Sequence, residues 1–194
     1  VLPVGYVCAR VIYLRSQSPL LAAAQDVIVS APLGIPAVIF GQGFLLAYTQ
    51  SPLRLYGEDL GLILVYVAIM VPFSVRLQLV AMVNLGLEPH AAAAAAGAGW
   101  FRRLIAIELP LLRPALASAA ALVVVMTSYE FSASVLVRSQ ETQVMGTVLY
   151  DLWNFGSYPQ AAVMALLMCL VTAIGVGLVG LWGGRGQLEG VYRG

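Results

Sequence analysis

Long apolar runs separated by short polar segments dominate the hydrophobic pattern of this chain. Five of them approach the roughly 20 residues that a membrane-spanning helix needs. They are, in order, Val1 to about Leu14, about Val27 to Tyr48, about Leu60 to Val80, about Leu112 to Val137, and about Pro159 to Trp182. Each run exceeds the length of a transmembrane strand and lacks its alternation, so the pattern predicts helices and not a closed barrel.

The segment from Pro89 to Pro110, PHAAAAAAGAGWFRRLIAIELP, departs from this pattern. Its uncharged part, between His90 and Arg102, is too short to cross the hydrocarbon. Each flanking charge would cost roughly 2.5–3.5 kcal/mol at the bilayer centre. We therefore expect the loop at about 84–111 to stay outside the membrane.

Two short helices are expected within this loop. Alanine has the highest helix propensity and proline is tolerated in a first turn, so the first helix begins near Glu88. Gly97 and Gly99 permit a sharp bend at little cost. The second helix runs from about Trp100 to Leu109, and Pro110 is expected to stop it. The pair is either a docking element for another protein or an amphipathic loop resting on the membrane surface.

Arginine placement predicts the orientation, because cytoplasmic loops of membrane proteins carry an excess of basic residues. If the loop at 84–111 is cytoplasmic, most arginines share its side: Arg10, Arg15, Arg76, Arg102, Arg103, Arg113, Arg185 and Arg193. Only Arg54 and Arg138 then lie outside. The opposite orientation would invert this bias.

The outer loops are then Gln50 to Asp59 and about 138–158. In the second loop, apolar residues at helical spacing are accompanied by aromatic ones: Val144, Val148, Leu149 and Leu152, with Tyr150, Trp153 and Tyr158. This pattern predicts a short helix at the outer membrane interface. A partly buried loop helix without a role in transport is the alternative.

Composition supports a membrane protein. The 194 residues are 61% hydrophobic and only 10% charged, with a mean hydropathy of +0.91, whereas soluble domains carry about 25% charged residues. The net charge of +1 gives no electrostatic reason to expect nucleic acid as a partner. The chain begins at Val1 inside an apolar run with no charged leader, so we expect a missing N-terminal part and not a signal peptide.

Several residue types that often carry chemistry have structural interpretations here. Cys8 and Cys169 lie in apolar runs and are expected to be buried. His90 has no partner at metal-ligand spacing and is expected at the surface. The stretch GVGLVG, Gly175 to Gly180, matches a dinucleotide fingerprint but lies inside a predicted span with no strand before it. Gly180 and Gly184 instead favour close helix packing, and we expect no cofactor, metal or catalytic site.

Glu130 is the most informative ionisable residue, because it falls late in the fourth apolar run, in TSYEFSAS. A charge within a membrane helix is costly and indicates function by default. Ser128, Ser132 and Ser134 flank it and make its surroundings small and polar. We interpret Glu130, Ser128 and Ser132 as residues of a translocation pathway. The structural alternative is a pair with another helix, or contact with water at the outer surface.

Prolines and glycines interrupt the second apolar run, at Pro32, Gly34, Pro36, Gly41 and Gly43. Such residues bend a helix, allow close packing or line a pathway, and these interpretations remain open. Gln42 is the polar contact if this run lines the pathway. Pro72 predicts a kink in the third run.

The cytoplasmic loop also resembles a known signature. Permeases of type I ABC importers carry Glu-Ala-Ala, three residues, Gly, nine residues, Ile, any residue and Leu-Pro. This chain is similar, at the matching spacing, at Ala92, Ala93, Gly97, Ile107, Leu109 and Pro110. It departs from the pattern at Ala91, where the family places its glutamate. APLGIPAVIFGQGFLLAY and YEFSASVLVRSQETQVMGTVLYDLWNFGSYPQAAVMALL further resemble the subgroup moving iron(III), thiamine, polyamines or aminoethylphosphonate.

This resemblance implies an all-α polytopic membrane protein with the type I importer permease fold. It implies a single transmembrane domain over residues 1–194 with about five membrane helices. It also implies a multi-pass protein in a bacterial inner membrane, in contact with membrane lipid. The implied partners are ATP-binding cassette ATPase subunits, a second permease half or subunit, and a periplasmic or lipid-anchored solute-binding protein. The chain is then a transport subunit and not an enzyme, because ATP hydrolysis belongs to the ATPase.

The resemblance also implies which residues couple to the ATPase: Ala91, Ala92, Ala93, Gly97, Phe101, Arg102, Ile107, Leu109 and Pro110. Without a glutamate at position 91, docking rests on the alanine face with Phe101 and Arg102, or the partner half carries the glutamate. Iron(III) is the expected solute, ahead of thiamine, polyamine and phosphonate. An ion-gradient-driven secondary transporter or channel, and a membrane scaffold that only anchors a partner, are the alternative functions.

Overall fold

A computed structural model describes residues 1–14, 18–50, 52, 54–86 and 88–184. The expectations for Arg15, Arg185 and Arg193, and for the side chain of His90, fall outside the described residues. Within the described ranges all regular structure is helical, which confirms the all-α fold class.

The helices are numbered along the chain. They are α1 Leu2–Leu14, α2 Pro19–Ser30, α3 Ala37–Tyr48, α4 Asp59–Leu85, α5 Glu88–Ala95, α6 Trp100–Arg103, α7 Leu109–Ser128, α8 Ser134–Val137, α9 Met145–Asn154 and α10 Tyr158–Gly184. A 3-10 turn, Ala31–Gly34, follows α2, and a π-helical turn, Leu104–Glu108, joins α6 to α7.

Three helical stretches in the described part of the chain are long and apolar enough to cross a membrane: Asp59–Leu85, Trp100–Ser128 and Tyr158–Gly183. The second predicted run is instead a pair of helices, Leu20–Gly34 and Ala37–Tyr48, bent by 101°. By length and composition, the described residues thus hold three candidate spans, or four if the bent pair is one span, beside the shorter α1, where about five membrane helices were expected.

The bend has a local cause. Ile35 precedes a proline and takes an extended backbone, with φ −106° and ψ 124°. A residue before proline is sterically disfavoured from the helical region. Pro36 itself then has φ −54° and ψ 134°, and α3 begins at the next residue. The Pro-Gly content of this run thus breaks the helix rather than merely bending it.

Pro110 does not stop the second loop helix, contrary to the prediction. The helix continues from Trp100 to Ser128, and Pro110 lies at the start of α7. In the π-helical turn just before it, the Leu109 amide donates to the Leu104 carbonyl. A proline lacks an N–H and disrupts the preceding helical turn, and a widened turn at that point accommodates it without ending the helix.

The fourth predicted run ends earlier than expected. α7 stops at Ser128, residues 129–133 are not helical, and α8 resumes at Ser134. Glu130 therefore lies in a break between two helices and not within a continuous span. Its carboxylate accepts hydrogen bonds from the Ala133 and Ser134 amides, and such side-chain bonds compete with a helical ladder.

α7 is central to the packing, because it contacts both α4 and α10, while α1 packs on α4. A buried apolar cluster joins α1, α4 and α7, and comprises Ala9, Ile12, Val75, Met82 and Leu112. A second cluster joins α4 to the α8 region, and comprises Val65, Ala133 and Val137. These contacts hold the break at residues 129–133 against the middle of the bundle.

Glycines bring α10 close to α7, at Gly175 within the GVGLVG stretch and at Gly183 outside it. A Cβ at Gly183 would overlap the Ala117 side chain, and one at Gly175 would lie 2.9 Å from Val124. Gly180 has nothing within 4 Å of the equivalent point, so its expected packing role is not observed. The expectation that Cys169 is buried is also wrong, since this residue is exposed on α10.

The outer-loop prediction is confirmed as a helix. α9 covers Met145–Asn154, and the fully buried Thr147 closes its first turn by accepting from the Val144 amide. Trp153 and Tyr158 pack edge to face, with ring centroids 5.1 Å apart. The predicted location of this helix at a membrane interface stays a prediction.

Candidate functional site

The loop between α4 and α7 forms a compact two-helix segment, which we call the coupling segment (residues 88–110). At the end of α5, Ala98 donates to the Ala93 carbonyl and Gly97 donates to that of Ala94, both at 3.0 Å. This is a glycine-type helix ending, and Gly97 has the positive φ of 75° that it requires. Gly99 is extended instead, with φ −63° and ψ 162°. The glycine break was thus predicted correctly.

The residues expected to couple to an ATPase divide into an outward and an inward set. The outward set is solvent-exposed and contains Ala91, Ala92, Gly97, Phe101, Arg102 and Pro110. The inward set is buried or partly buried and contains Ala93, Ile107 and Leu109. Phe101 is 66% exposed and its neighbour Trp100 58%, so the segment presents large apolar side chains that the described chain leaves mostly exposed.

The C-terminal end of the coupling segment is bonded to α1 through a buried glutamate. Glu108 is only 3% exposed, and its carboxylate accepts hydrogen bonds from Tyr6 and from Arg10. Arg10 also donates to the Tyr6 hydroxyl at 2.7 Å and lies 5.7 Å from the centre of the Trp100 ring. α1, the coupling segment and the start of α7 therefore share one ionic network, which we call the Glu108 network (Tyr6, Arg10, Trp100, Glu108).

The Glu108 network was not predicted from the sequence. Arg10 was used only as an orientation marker, and Glu108 only as a charge that keeps the loop out of the membrane. A signal was available, because Tyr6 and Arg10 are four residues apart and so share one face of an otherwise apolar helix. A second arginine–tryptophan contact, Arg113 over Trp182 at 4.9 Å, ties the start of α7 to α10.

At the other end of α7, Glu130 is 9% exposed. Its carboxylate accepts from the Ala133 amide at 2.9 Å, from the Ser134 amide at 3.1 Å and from the Ser134 hydroxyl. The Tyr66 hydroxyl lies 2.7 Å from the Ser134 oxygen. Glu130 thus caps the short α8 and links it to α4.

Glu130 also lines a cavity of about 520 Å³, which we call the Glu130 cavity. Its walls come from α4, α7 and the start of α9: Tyr66, Val123, Val124, Thr127, Ser128, Glu130, Gln143, Val144, Met145 and Gly146. Two of the predicted pathway residues, Glu130 and Ser128, meet here. Ser132 and Gln42 do not line this cavity, and Gln42 is exposed on α3, so their pathway roles stay predictions. Tyr66 and Gln143 were not anticipated.

A more polar cavity of about 790 Å³ lies on the side of the outer loop, and we call it the outer cavity. It shares Gln143 with the Glu130 cavity and is otherwise lined by Tyr56, Val135, Arg138, Ser139, Gln140, Asp151 and Phe155. Arg138 donates to both carboxylate oxygens of Asp151, one of them at 2.8 Å. These hydrogen bonds from Arg138 hold the pKa of Asp151 below its ordinary value.

Comparison with curated proteins bears on what this architecture does. The chain is 24% identical over 143 residues to PhnV, a transport-system permease protein of Salmonella paratyphi A, and 23% identical to the counterpart from Salmonella typhimurium. The resemblance to ABC importer permeases is confirmed. Their name provisionally assigns these relatives to a 2-aminoethylphosphonate transport system.

The match has defined limits. It covers 74% of this chain and 54% of each relative, so the chain spans about half the length of the curated relatives it matches. No protein-family model matches the chain. The relatives' names point to a transport subunit rather than an enzyme, and with the apolar helices they indicate a multi-pass membrane protein. They do not support iron(III), the solute expected from sequence.

Proposed function

We propose that this chain is a membrane-spanning permease of an ATP-driven importer in a bacterial inner membrane. Residues 1–194 contribute a single transmembrane domain, and the coupling segment docks an ATPase subunit. A second permease half or subunit completes the pathway, and a solute-binding protein delivers solute at the outer loops. The observation that carries the proposal is the exposed apolar and basic surface of the coupling segment, with Phe101 and Arg102 uncovered.

The continuity of the helix supports a mechanical role for this surface. From Trp100 the chain runs as one helical stretch to Ser128, and the Glu130 break follows directly. A displacement of the coupling segment is therefore transmitted along this helical stretch, and the C-terminal end of the stretch borders the Glu130 cavity. Rigid-body shifts of this kind switch access from one side of a membrane protein to the other.

The absence of the family's glutamate at Ala91 is compatible with docking. Ala91 and Ala92 are exposed, so a smooth alanine face accompanies Phe101 and Arg102 on the outward side. We propose that apolar burial and shape, and not a carboxylate contact, dominate docking of this chain. A partner permease half carrying the glutamate would supply the missing contact on the second ATPase.

The relatives' names revise the proposed solute. We place a 2-aminoethylphosphonate-like compound first, ahead of iron(III), thiamine and polyamine. A single carboxylate in the Glu130 cavity also gives little support to a metal-ion pathway, since iron(III) is a hard ion that several oxygen ligands would have to hold.

Co-purification tests the docking proposal. Gly97→Val is expected to abolish association of the permease with its ATPase subunit, because a β-branched residue at φ 75° is strained. No atom lies within 4 Å of the position that a Cβ would take at either Gly97 or Gly99. Gly99→Val is therefore a matched control that places the same side chain at a nearby glycine without backbone strain, because Gly99 has φ −63°, and it should retain the ATPase.

Transport measurements separate the remaining alternatives. Uptake in proteoliposomes should require ATP on the side of the membrane where the ATPase is bound. It should persist when ion gradients across the membrane are collapsed. Uptake driven by an ion gradient without ATP would establish the secondary-transporter alternative. Retention of the ATPase and full uptake by Gly97→Val would overturn the coupling assignment.

A further inference from the structure

We infer that the Glu130 cavity is a subsite for the ammonium group of an aminoalkyl solute, with Glu130 as its anionic contact. This inference rests on the proposed transport function and extends it, because it names the part of the solute that the permease itself recognises. Three observations carry it: the uncompensated charge of Glu130, the hydrogen-bonding state of the cavity hydroxyls, and the connection to the outer cavity.

The first observation concerns charge. Glu130 is nine-tenths buried, and its hydrogen-bond partners are two backbone amides and one serine hydroxyl, all neutral. Among the described residues, no arginine forms an ion pair with it. A buried carboxylate is costly unless it is paired. The Glu130 carboxylate thus borders a cavity of about 520 Å³ and has only neutral donors as hydrogen-bond partners.

The second observation concerns the hydroxyl groups near Glu130 whose hydrogen atoms already take part in hydrogen bonds within the protein. An ionised carboxylate only accepts, so the Ser134 hydroxyl must donate its hydrogen to Glu130. The Tyr66–Ser134 hydrogen bond of 2.7 Å then requires Tyr66 to donate its own hydrogen to Ser134. Ser128 donates to the Val124 carbonyl at 2.7 Å. The Tyr66 and Ser128 oxygens therefore present only lone pairs to the cavity.

Beside the Glu130 carboxylate, the Tyr66 and Ser128 oxygens are acceptors, and such groups fit a ligand that has donors and a positive charge. A carboxylate has about four lone-pair sites, and three hydrogen bonds to Glu130 are used internally. One site remains, which suits a single N–H of an ammonium group.

A metal ion fits this cavity less well. The described residues contain no group of three His, Cys, Asp or Glu side chains that could hold one. Divalent ions need several oxygen or nitrogen ligands, whereas an ammonium group needs only acceptors at hydrogen-bond distance. The chemistry therefore favours an organic amine.

The third observation is access. Gln143 lines both the Glu130 cavity and the outer cavity, so the two are neighbours and only this side chain is shared between them. Arg138 in the outer cavity is already paired with Asp151 and leaves the carboxylate of Glu130 as the uncompensated charge in the two cavities. The amine end of the solute is expected to lead.

Equilibrium binding to the purified permease–ATPase complex, without the solute-binding protein, tests the inference. The probes are 2-aminoethylphosphonate, ethylammonium and ethylphosphonate, which share or lack the amine. Both amines should bind the wild-type complex, and ethylphosphonate should bind at least tenfold more weakly. Glu130→Gln should weaken amine binding by roughly 10- to 100-fold, as expected for a lost charged hydrogen bond, and leave ethylphosphonate unchanged.

Two further variants keep the test decisive. Glu141→Gln removes an exposed carboxylate that lines neither cavity, and it should bind the amines as the wild type does. Tyr66→Phe keeps the ring but removes an acceptor, and it should weaken amine binding by roughly 3- to 10-fold. It serves if Glu130→Gln, which alters the α8 cap, does not fold.

The outcomes separate this inference from the proposed function. Equal binding of ethylphosphonate and 2-aminoethylphosphonate would overturn the amine subsite, as would no amine binding to the wild type or unchanged binding by both variants. Iron(III) citrate binding that depends on Glu130, without amine binding, would overturn it in favour of a metal path. Failure of the proposed function shows differently, as a complex that binds amines but imports nothing with ATP.

Discussion

Two buried glutamates mark the two ends of α7, and they are held in opposite ways. Glu108 is 3% exposed and Glu130 is 9% exposed, and the 20 residues of α7 separate them by about 30 Å. Glu108 receives an arginine and a tyrosine. Glu130 receives only neutral donors. One charge is compensated within the chain, and the other has no cationic partner among the described residues.

This difference in charge compensation suggests different roles for the two glutamates, one in stabilising the fold and one in binding a solute. A compensated buried charge contributes little beyond geometry, but removing one partner is strongly destabilising. An uncompensated charge beside a cavity keeps its capacity to bind a cation. The Glu108 end of α7 therefore holds the coupling segment against α1, and the Glu130 end is where we propose that a solute is contacted.

The largest effect is expected at the Glu108 network. Arg10→Ala removes an ion-pair and hydrogen-bond partner of the buried Glu108 and should destabilise the protein by about 3 kcal/mol, at the low end for a broken buried pair, because Arg10 keeps 19% of its side chain exposed. Thermal unfolding of the detergent-purified protein measures this loss. Arg54→Ala, at an exposed arginine, is the control.

A double variant sharpens this test. Replacing both Arg10 and Glu108 with methionine removes the charges together and should recover most of the lost stability. If Arg10→Ala were as stable as the wild type, the ionic network would not brace α1 against the coupling segment.

The next effect is expected at the Glu130 end, through packing. A Cβ at Gly41 would lie 2.9 Å from the Cα of Ala133 and 3.0 Å from its carbonyl oxygen, both backbone atoms. Gly41→Val should therefore push α3 away from the Glu130 break and destabilise the protein by about 2 kcal/mol. Gly43→Val, where nothing lies within 4 Å, should cost much less. Equal losses in thermal stability for the two variants would contradict the close α3 contact.

A smaller difference is expected between two tyrosines. Tyr6 donates to the carboxylate of Glu108, whereas Tyr66 is bonded to the neutral Ser134 hydroxyl. Tyr6→Phe should thus cost about 1.5 kcal/mol of stability and Tyr66→Phe about 1 kcal/mol, because bonds to charged groups are stronger. Thermal unfolding of both variants checks the order, and a reversed order would undo the assignment of the compensated charge to Glu108.

The smallest effect concerns the outer Arg138–Asp151 pair, which lies outside the spans. Its hydrogen bonds lower the pKa of Asp151 in the folded state. The pair's stabilisation is therefore present above the unfolded pKa of about 3.9 and is lost as the pH falls through the lower folded value. It should amount to less than about 1 kcal/mol, because the pair is partly exposed.

A pH series of thermal midpoints checks this. The wild type should lose its small advantage over Asp151→Asn as the pH falls below about 4 and through the lowered pKa of Asp151. A constant difference over that range would show that Arg138 does not act through the charge of Asp151.

Local signals in the sequence predicted much of the architecture. The alanine run, Gly97 and the spacing of Val144 and Val148 indicated α5, its ending and α9, because propensity, positive φ and amphipathic period act over a few residues. The apolar runs that became α4 and α10 were also found. The presence of helices depends on these short-range rules, and the rules were reliable here.

The errors arose where two local rules compete or where distant residues meet. Pro110 was taken as a stop, but a π-helical turn accommodates it. Glu130 was placed in a span, although its carboxylate bonds to nearby amides end the helix instead. The Glu108 network joins residues 98 positions apart, and no local pattern specifies such a pairing.

The π-helical turn at Leu104–Glu108 has a consequence for rotational phase. Each residue of an α-helix turns the chain by about 100°, so the wider turn sets the angle at which Trp100 and Phe101 point relative to α7. Removal of one residue from that turn would rotate the docking surface by roughly a quarter of a revolution about the helix axis. The π-helical turn therefore fixes the rotational orientation of the coupling segment about the helix axis, relative to the Glu130 break that follows the C-terminal end of α7.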